Sequence, residues 1–266
     1  MKLCFNSIAY KKTETDTGTI LRQIAELGEF QAVELLQPHF ENFSREQARE
    51  TADLAAGLSL KLPIISGYLG VLRLEMDDFE EHLELCRKLT GIAGWLGVKM
   101  HRAFAGFVGE VTSLDPDPEY YKYVIRGFKE ICRILAESGQ VLATEVHRGC
   151  FTDTARGALK FLEDVGAENH KLLLQLGVVP RQSGMDGIGL YRALADHIVH
   201  MHVHPYPHEE HEDNPGNLAG LLPVLEKENP PFFVSIENCE AHVPPLQAAR
   251  DGAEMVKRIL GEEGSR

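Results

Sequence analysis

Short apolar runs alternate with longer amphipathic segments along the whole chain, and this alternation constrains the fold more than any other feature. Most of the runs carry apolar residues without strict polar–apolar alternation, which is typical of strands buried on both faces of a parallel sheet. The runs predict eight strands, at Leu3–Ile8, Ala32–Leu36, Leu62–Ser66, Val98–His101, Val141–Glu145, Leu172–Gln175, Ile198–Val203 and Phe232–Glu237.

Each predicted strand is followed by a segment with helical periodicity. In Asp78–Leu89, for example, apolar residues recur on one helical face. Ser44 and Gln47 have the spacing of a capping box at the start of another segment. The segments predict eight helices, at Thr17–Leu27, Ser44–Ala56, Asp77–Leu96, Pro118–Ser138, Thr154–Asp164, Met185–Ala195, Leu218–Lys227 and Pro245–Leu260.

The number and regular spacing of these units favour a closed barrel. The 266 residues divide into eight units of about 33 residues, close to the ~250 residues of a typical (β/α)8 barrel. The alternative is an open doubly wound sheet, but the first turn, NSIAYKKTETDTG, lacks the GxGxxG motif of that fold. With no linker or composition break, we predict an α/β protein, a single-domain (β/α)8 TIM barrel with eight parallel strands over residues 1–266.

Charge and cysteine content restrict the class of function. Lys and Arg number 27 against 40 Asp and Glu, and the net charge of −13 should repel a nucleic-acid backbone. No run approaches the ~18 apolar residues of a membrane span. The five scattered cysteines form no CxxC pair, which favours free thiols in a reducing compartment. We therefore expect a cytoplasmic protein with neither a nucleic-acid partner nor a membrane partner.

Polar side chains end the last four predicted strands, at the edge where barrel enzymes place their active sites. Strand five ends at Glu145, strand six at Gln175 and strand eight at Glu237, while strand seven carries His202. These positions are 30, 27 and 35 residues apart, so each lies about one strand–helix unit from the next. We therefore expect the four side chains to converge near the barrel axis.

These four residues offer two carboxylates, an imidazole and an amide oxygen. Such a donor set favours one divalent metal ion, which could be Mn²⁺, Mg²⁺, Co²⁺ or Zn²⁺. The alternative is that all four are ordinary hydrogen-bonding groups at a polar barrel mouth. Without a cation, the two carboxylates would repel each other and one would take up a proton.

Three histidines alternate along strand seven and therefore point to the same side of the strand. The position of His202 relative to the strand end favours it as the metal ligand. His200 is predicted to be buried and hydrogen-bonded, and His204 to lie at the rim, where it can contact substrate.

Other residues near the strand ends are candidates for contacts with a substrate. His147 could orient the substrate or protonate its oxygen, or make a hydrogen bond behind the ligands. Arg102 is a candidate for binding a substrate carboxylate or phosphate, but the sequence favours the alternative of a surface ion pair. Glu34 is predicted to line the mouth, and Trp95 to pack in the core. The polar stretch HPYPHEEHEDNPGN after strand seven is predicted to form a lid or an active-site loop.

Six stretches together resemble the xylose-isomerase-like TIM barrels, the superfamily of sugar isomerases and epimerases that also contains apurinic endonuclease IV. They are FQAVEL, LGVKMHRAFAG, ATEVHRG, LLLQLG, HMHVH and VSIENCE, at strands two and four to eight. The resemblance covers nearly the whole chain. In relatives similar to ketose 3-epimerases, Glu, Asp, His and Glu hold the metal, which implies that role for Glu145, Gln175, His202 and Glu237. It also implies that the two glutamates form the acid/base pair.

The sequence departs from this family pattern at three places. Gln175 stands where the family usually has Asp, and Val178 where it often has His. His204 and Pro205 replace a common Lys-Asp pair. The loss of one carboxylate should weaken cation affinity.

The predicted activity is metal-assisted isomerisation or epimerisation of a small sugar or hydroxy-carbonyl compound through an enediolate. One of Glu145 and Glu237 would remove the proton and the other return it. The alternatives are a metal-dependent lyase or dehydratase at the same site, a nuclease of the endonuclease IV type, and a metal-free ligand-binding barrel. The net charge argues against the nuclease. The expected partner is a small-molecule substrate, and the sequence leaves open whether a homo-oligomer forms.

Overall fold

Eight parallel strands close into a barrel in which each strand pairs with the next along the chain. The computed structural model describes residues 1–73, 79–177, 179–206 and 214–261. The first and last strands complete the ring, with Leu3 opposite Val234 and Phe5 opposite Ile236. The predicted (β/α)8 TIM barrel is therefore confirmed.

The strands lie close to the predicted positions, with local shifts. They are β1 (Leu3–Asn6), β2 (Ala32–Leu36), β3 (Ile65–Leu69), β4 (Met100–Ala103), β5 (Val141–Val146), β6 (His170–Gln175), β7 (Ile198–Val203) and β8 (Val234–Ile236). Strand β1 ends at Asn6, two residues early, because the Asn6 side chain accepts a hydrogen bond from the Ile8 amide and starts a 3₁₀ turn. Strand β3 begins three residues later than predicted. Pro63 lies within the predicted run and has no amide hydrogen to contribute to a strand ladder.

Helices surround the barrel and mostly follow the predicted segments. They are α1 (Thr17–Leu27), α2 (Arg45–Gly57), α3 (Phe79–Leu96), α4 (Pro118–Glu137), α5 (Ala155–Val165), α6 (Val179–Gln182), α7 (Gly187–Leu194), α8 (Asn214–Glu228) and α9 (Pro245–Leu260). Helix α6 is a short addition that the sequence did not predict. The capping box at Ser44 and Gln47 is confirmed, since both of its hydrogen bonds are present. None of the described helices combines the length and apolar character needed to cross a bilayer.

The exposed position of Trp95 contradicts its predicted place in the core. Trp95 is 39% exposed, whereas Ile92, Ala93 and Leu96 on the same helix are buried. Residues three and four apart share one face of a helix, so these three residues cover the barrel while Trp95 points away from it.

The loops after β3 and β4 approach each other closely at the mouth of the barrel. Gly70 has a φ of +80°, and a Cβ atom there would lie 2.2 Å from the Phe104 carbonyl oxygen. Only glycine adopts this conformation and permits this approach without strain. The contact places Tyr68 and Phe104 beside the carboxyl ends of the strands, where the candidate site lies.

Candidate metal centre

Two side chains from β5 and β7 and one from the residue that follows β8 meet inside the mouth. Glu145, His202 and Glu237 are buried, and each offers a ligand atom within 4.8 Å of those of the other two. The strand register brings them together, because His202 lies opposite Gln175 on β6 and opposite Ser235 on β8. The structure therefore brings together the two carboxylates and the imidazole that the strand ends predict.

The ring of His202 has one nitrogen that points at both carboxylates. Its Nδ1 atom lies 3.2 Å from Glu237 Oε2 and 3.6 Å from Glu145 Oε1. This buried nitrogen makes no hydrogen bond to any residue that the structure describes. An imidazole nitrogen and two carboxylates, facing one another without a hydrogen bond between them, fit a divalent cation.

Arg102 is buried beside the two carboxylates. Its Nη1 atom lies 3.2 Å from Glu145 Oε2 and 3.7 Å from Glu237 Oε1, and the residue is 2% exposed. The alternative of a surface ion pair is therefore wrong. The guanidinium also lies 4.6 Å from the centre of the Phe104 ring, in cation–π contact.

The buried charges at the site do not balance without a further positive charge. Glu34, Glu145 and Glu237 supply three carboxylates, against the one guanidinium of Arg102, within a network of contacts shorter than 4 Å. Buried charge is costly unless it is paired. Among these described groups, two negative charges remain when the histidines are neutral, which matches the charge of one divalent cation.

The pKa values of the ligand groups follow from this charge distribution. Burial alone would raise the pKa of Glu237, but the nearby His202 holds it well below the ordinary value. Arg102, and then His202, likewise hold the pKa of Glu145 low against the effect of burial. Burial lowers the pKa of His202, but Glu237 and Glu34 outweigh it and raise that pKa well above the ordinary value. In the cation-free protein, a proton on His202 therefore supplies part of the missing positive charge.

Gln175 reaches the site with its amide nitrogen. Gln175 Nε2 donates to Glu237 Oε2 at 3.2 Å and lies 2.8 Å from His204 Nε2, which must accept because an amide nitrogen only donates. The lone pair of an amide nitrogen is delocalised into the carbonyl group and does not bind a cation, so the predicted ligand Gln175 acts here as a hydrogen-bond donor. Three protein ligands and an open position are typical of catalytic rather than structural metal sites.

Replacing Gln175 by glutamate is expected to tighten cation binding by about tenfold or more, because it adds a charge beside a divalent ion. The cation-free protein should become less stable, since the new carboxylate would face Glu237 Oε2 at the present 3.2 Å contact. Calorimetric titration with Mn²⁺ and thermal unfolding in EDTA test both effects. Gln47→Glu, which adds the same charge in an exposed capping box, is the matched control. Unchanged Mn²⁺ affinity in Gln175→Glu would place Gln175 outside the metal centre.

A cavity of about 160 Å³ is lined by two of the three ligands, Glu145 and Glu237. His147 lines it, and its Nδ1 atom lies 2.5 Å from the Arg148 carbonyl oxygen. A carbonyl oxygen can only accept, so Nδ1 carries a hydrogen and Nε2 remains for proton exchange. Positions His208 and His211 of the predicted lid, and Val178, lie outside the described residues. The described lining consists of Ile8, Tyr68, Arg102, Phe104, Glu145, His147, Gln175, His204, Pro205, Tyr206, Glu237, Asn238, Cys239 and Glu240.

Glu34 lies beneath the ligands and does not line this cavity. It is fully buried, and both of its carboxylate oxygens lie 3.0 Å from His202 Nε2. The prediction that Glu34 lines the mouth is therefore wrong. The prediction for His200 is confirmed, because this buried side chain contacts Glu34 Oε2 at 3.0 Å.

Asn6 is a polar contact that the sequence analysis missed. Its Nδ2 atom donates to Glu34 Oε1 at 3.2 Å and to Glu237 Oε1 at 3.1 Å. Asn6 ends β1, so the criterion of polar strand ends, applied to the first strand as well, would have found it.

A second group, Cys4, Glu34 and His200, also has metal-ligand side chains close together. Its donor set does not fit a cation. Both oxygens of Glu34 already accept hydrogen bonds, and burial keeps the pKa of the Cys4 thiol well above its ordinary value. Only a deprotonated thiol is a good metal ligand.

The chain belongs to the xylose isomerase-like TIM barrel family, whose model matches residues 21–259. A 3-dehydroshikimate dehydratase from Bacillus anthracis is 26% identical over 238 residues, which cover 85% of this chain and 82% of that protein.

Three solved structures have the same architecture. The probable 3-DHS dehydratase AsbF of Bacillus anthracis has a TM-score of 0.80 at 21% identity, over 99% of this chain and 100% of that one. The zinc-bound IolI protein has a TM-score of 0.74 at 19% identity, over 100% of both chains. A D-allulose 3-epimerase from Methylomonas sp. has a TM-score of 0.74 at 14% identity, over 98% of both chains. At identities this low, the structures support the fold and no particular activity.

Proposed function

We propose that the protein is a metal-dependent dehydratase of a small hydroxy-carbonyl compound. Glu145, His202 and Glu237 would hold one divalent cation, of which Mn²⁺, Mg²⁺, Co²⁺ and Zn²⁺ are the candidates. The observation that carries the proposal is that His202 Nδ1, which makes no hydrogen bond to a described residue, faces two buried carboxylates that line an open cavity. The named relative, a 3-dehydroshikimate dehydratase, supports a lyase over the isomerase that the sequence favours.

The chemistry requires two proton transfers. A carboxylate of the Glu145 and Glu237 pair removes a proton from the carbon beside the substrate carbonyl, and the electron pair of the C–H bond moves into an enolate. The enolate then expels the neighbouring hydroxyl, which takes up a proton and leaves as water. A bound divalent cation supplies stabilisation of the negative charge that develops on the carbonyl oxygen.

His147 and Arg102 complete the arrangement from the cavity wall. The Arg148 carbonyl holds the Nδ1 hydrogen of His147, so a proton for the leaving hydroxyl must come from Nε2 of the imidazolium form of this ring, and we assign His147 that role. Arg102 is a fixed positive charge at the wall, which favours a substrate that carries a carboxylate. His204 lines the same wall, and its Nε2 atom lies 3.2 Å from Glu237 Oε2. From this position His204 can contact a bound substrate.

The second candidate is epimerisation at the same site. It is supported by the placement of Glu145 and Glu237 beside the same nitrogen of His202, since two neighbouring carboxylates can remove and return a proton. In epimerisation the hydroxyl stays, so the product has the mass of the substrate.

The deciding experiment incubates purified protein, loaded in turn with Mn²⁺, Mg²⁺, Co²⁺ or Zn²⁺, with 3-dehydroshikimate and then with ketoses. Dehydration gives a product lighter by one water. Epimerisation in D₂O gives an isomer of the substrate in which one carbon-bound hydrogen is replaced by deuterium. Turnover of neither class, together with no divalent ion by elemental analysis, would leave a metal-free binding barrel.

Cation binding is expected to strengthen as the pH rises and to be lost as it falls. A proton and a cation compete for His202 Nδ1, so binding must release the proton. Glu237 and Glu34 raise the pKa of His202 well above the ordinary value, despite its burial, so the competition extends above pH ~6.5. Titration with Mn²⁺ from about pH 6 to 9 should show Kd falling along this range. A Kd independent of pH would contradict the assignment of His202 as ligand.

In the cation-free protein, the free energy of unfolding should fall as the pH rises, which is opposite to the trend in cation affinity. Protonated His202 stabilises the cation-free fold below the unfolded-state pKa of ~6.5, and this contribution is lost as the pH rises through the raised folded-state pKa. The gap in Tm between Mn²⁺-loaded and EDTA-treated protein should therefore widen with pH.

A further inference from the structure

We propose that Glu34 is a positioning residue that fixes the tautomer and orientation of the His202 ring, so that Nδ1 faces the cation. The inference rests on the proposed metal centre and goes beyond it, because Glu34 is neither a ligand nor a substrate contact. The notable feature is that the two nitrogens of one imidazole have opposite surroundings.

The hydrogen bond to Glu34 determines where the ring proton lies. His202 Nε2 is 3.0 Å from both carboxylate oxygens of Glu34. A carboxylate held ionised can only accept, so Nε2 must donate and must carry the hydrogen. A neutral ring has one N–H, and its lone pair is therefore on Nδ1, the nitrogen that faces Glu145 and Glu237.

The surroundings of Glu34 keep its carboxylate in place. Asn6 Nδ2 donates to it from β1 at 3.2 Å, and the Ser66 hydroxyl donates from β3. His200 Nε2 contacts it from β7 at 3.0 Å. Glu34 is itself on β2 and fully buried. Donors from three other strands thus hold one carboxylate, which leaves it little freedom to rotate away from His202.

A carboxylate behind a ligating histidine makes the ring a stronger ligand. It orients the imidazole and raises the basicity of the other nitrogen, and its loss typically costs ~10–100-fold in metal affinity. Because it acts through the ring from behind, Glu34 belongs to the site although it does not reach the cavity.

The test compares Glu34→Gln and Glu34→Asp with the control Asp153→Asn. Asp153 is also a buried carboxylate, but it accepts from Thr112 and Ser113 and makes no contact to His202 in the described structure. Competition titration with Zn²⁺ should show affinity weaker by about 10–100-fold in Glu34→Gln, partial recovery in Glu34→Asp and no change in the control. Nitrogen-15 NMR of the histidine rings, in Zn²⁺-loaded protein, should show His202 protonated at Nε2 and coordinated at Nδ1.

Two results would overturn the proposal. One is wild-type Zn²⁺ affinity in Glu34→Gln with the ring signals of His202 unchanged. The other is coordination through Nε2 in the wild-type protein. If the wild-type protein takes up no Zn²⁺ at all, the proposed function fails instead. The ring signals of cation-free protein, at a pH where His202 is neutral, then decide the role of Glu34: a hydrogen on Nε2 supports it and a hydrogen on Nδ1 contradicts it.

Discussion

Glu237→Gln is expected to abolish turnover and to weaken cation binding by more than the ~10–100-fold that loss of an outer hydrogen-bond partner costs. Oxygen Oε2 of Glu237 lies 3.2 Å from each of three nitrogens, on Gln175, His202 and His204. An amide removes the negative charge that attracts the cation, and its NH₂ group cannot accept a hydrogen bond. Glu145→Gln should have the same effect, since Glu145 Oε1 lies 3.6 Å from His202 Nδ1.

Exchange of a substrate carbon-bound proton with D₂O separates the chemical role of these carboxylates from their role as ligands. At saturating Mn²⁺, product formation should stay lost in both variants, and exchange should be lost in the variant that lacks the proton-removing carboxylate. The control is Glu130→Gln, which removes an exposed carboxylate paired with Arg133 on the outer surface. Exchange that persists in one variant at saturating Mn²⁺ would show that this glutamate does not carry the proton.

Arg102→Met is expected to destabilise the cation-free protein by about 3–5 kcal/mol, the usual effect of removing one partner from a buried ion pair. The guanidinium of Arg102 contacts both Glu145 and Glu237, and all three groups are buried. Methionine retains much of the apolar stem but leaves the carboxylates less compensated. Urea unfolding in EDTA, followed by circular dichroism, measures the change.

A divalent cation should restore part of this lost stability. Mn²⁺ should therefore raise the urea midpoint of Arg102→Met by more than it raises that of the wild-type protein. The matched control is Arg133→Met, because both ion pairs of Arg133 are solvent-exposed and such pairs contribute little. Equal unfolding midpoints for Arg102→Met and wild type in EDTA would mean that the buried charges are compensated by another group.

The fold could be predicted because its signals are local and repeated. Eight buried runs separated by amphipathic segments leave few architectures open, and β2 and β7 lie at the predicted residues. The shift of β3 to Ile65–Leu69 was less accessible, because apolar character alone does not show which residues pair with the neighbouring strands. Trp95 shows the same limit: its type favours burial, but its position on α3 decides against it.

The site was predictable to the level of strand ends and no further. The closure of the barrel brings Glu145, His202 and Glu237 together, and that closure follows from the number of strands. The partners of each side chain depend on rotamers and on contacts across the barrel. Glu34 and His202 are 168 residues apart in the chain, so no local pattern indicates that they touch. The burial of Arg102 likewise depends on the loop contacts around Phe104.

The closing pair of strands has a consequence for how this protein matures. Asn6 and Glu237 are 231 positions apart and meet where β1 joins β8. A nascent or truncated chain that lacks β8 would contain His202 and Glu145 but not the third ligand. High-affinity binding of the ion should therefore begin only when β8 pairs with β1 and closes the barrel. During refolding, the time at which Mn²⁺ is captured would report the last step of assembly.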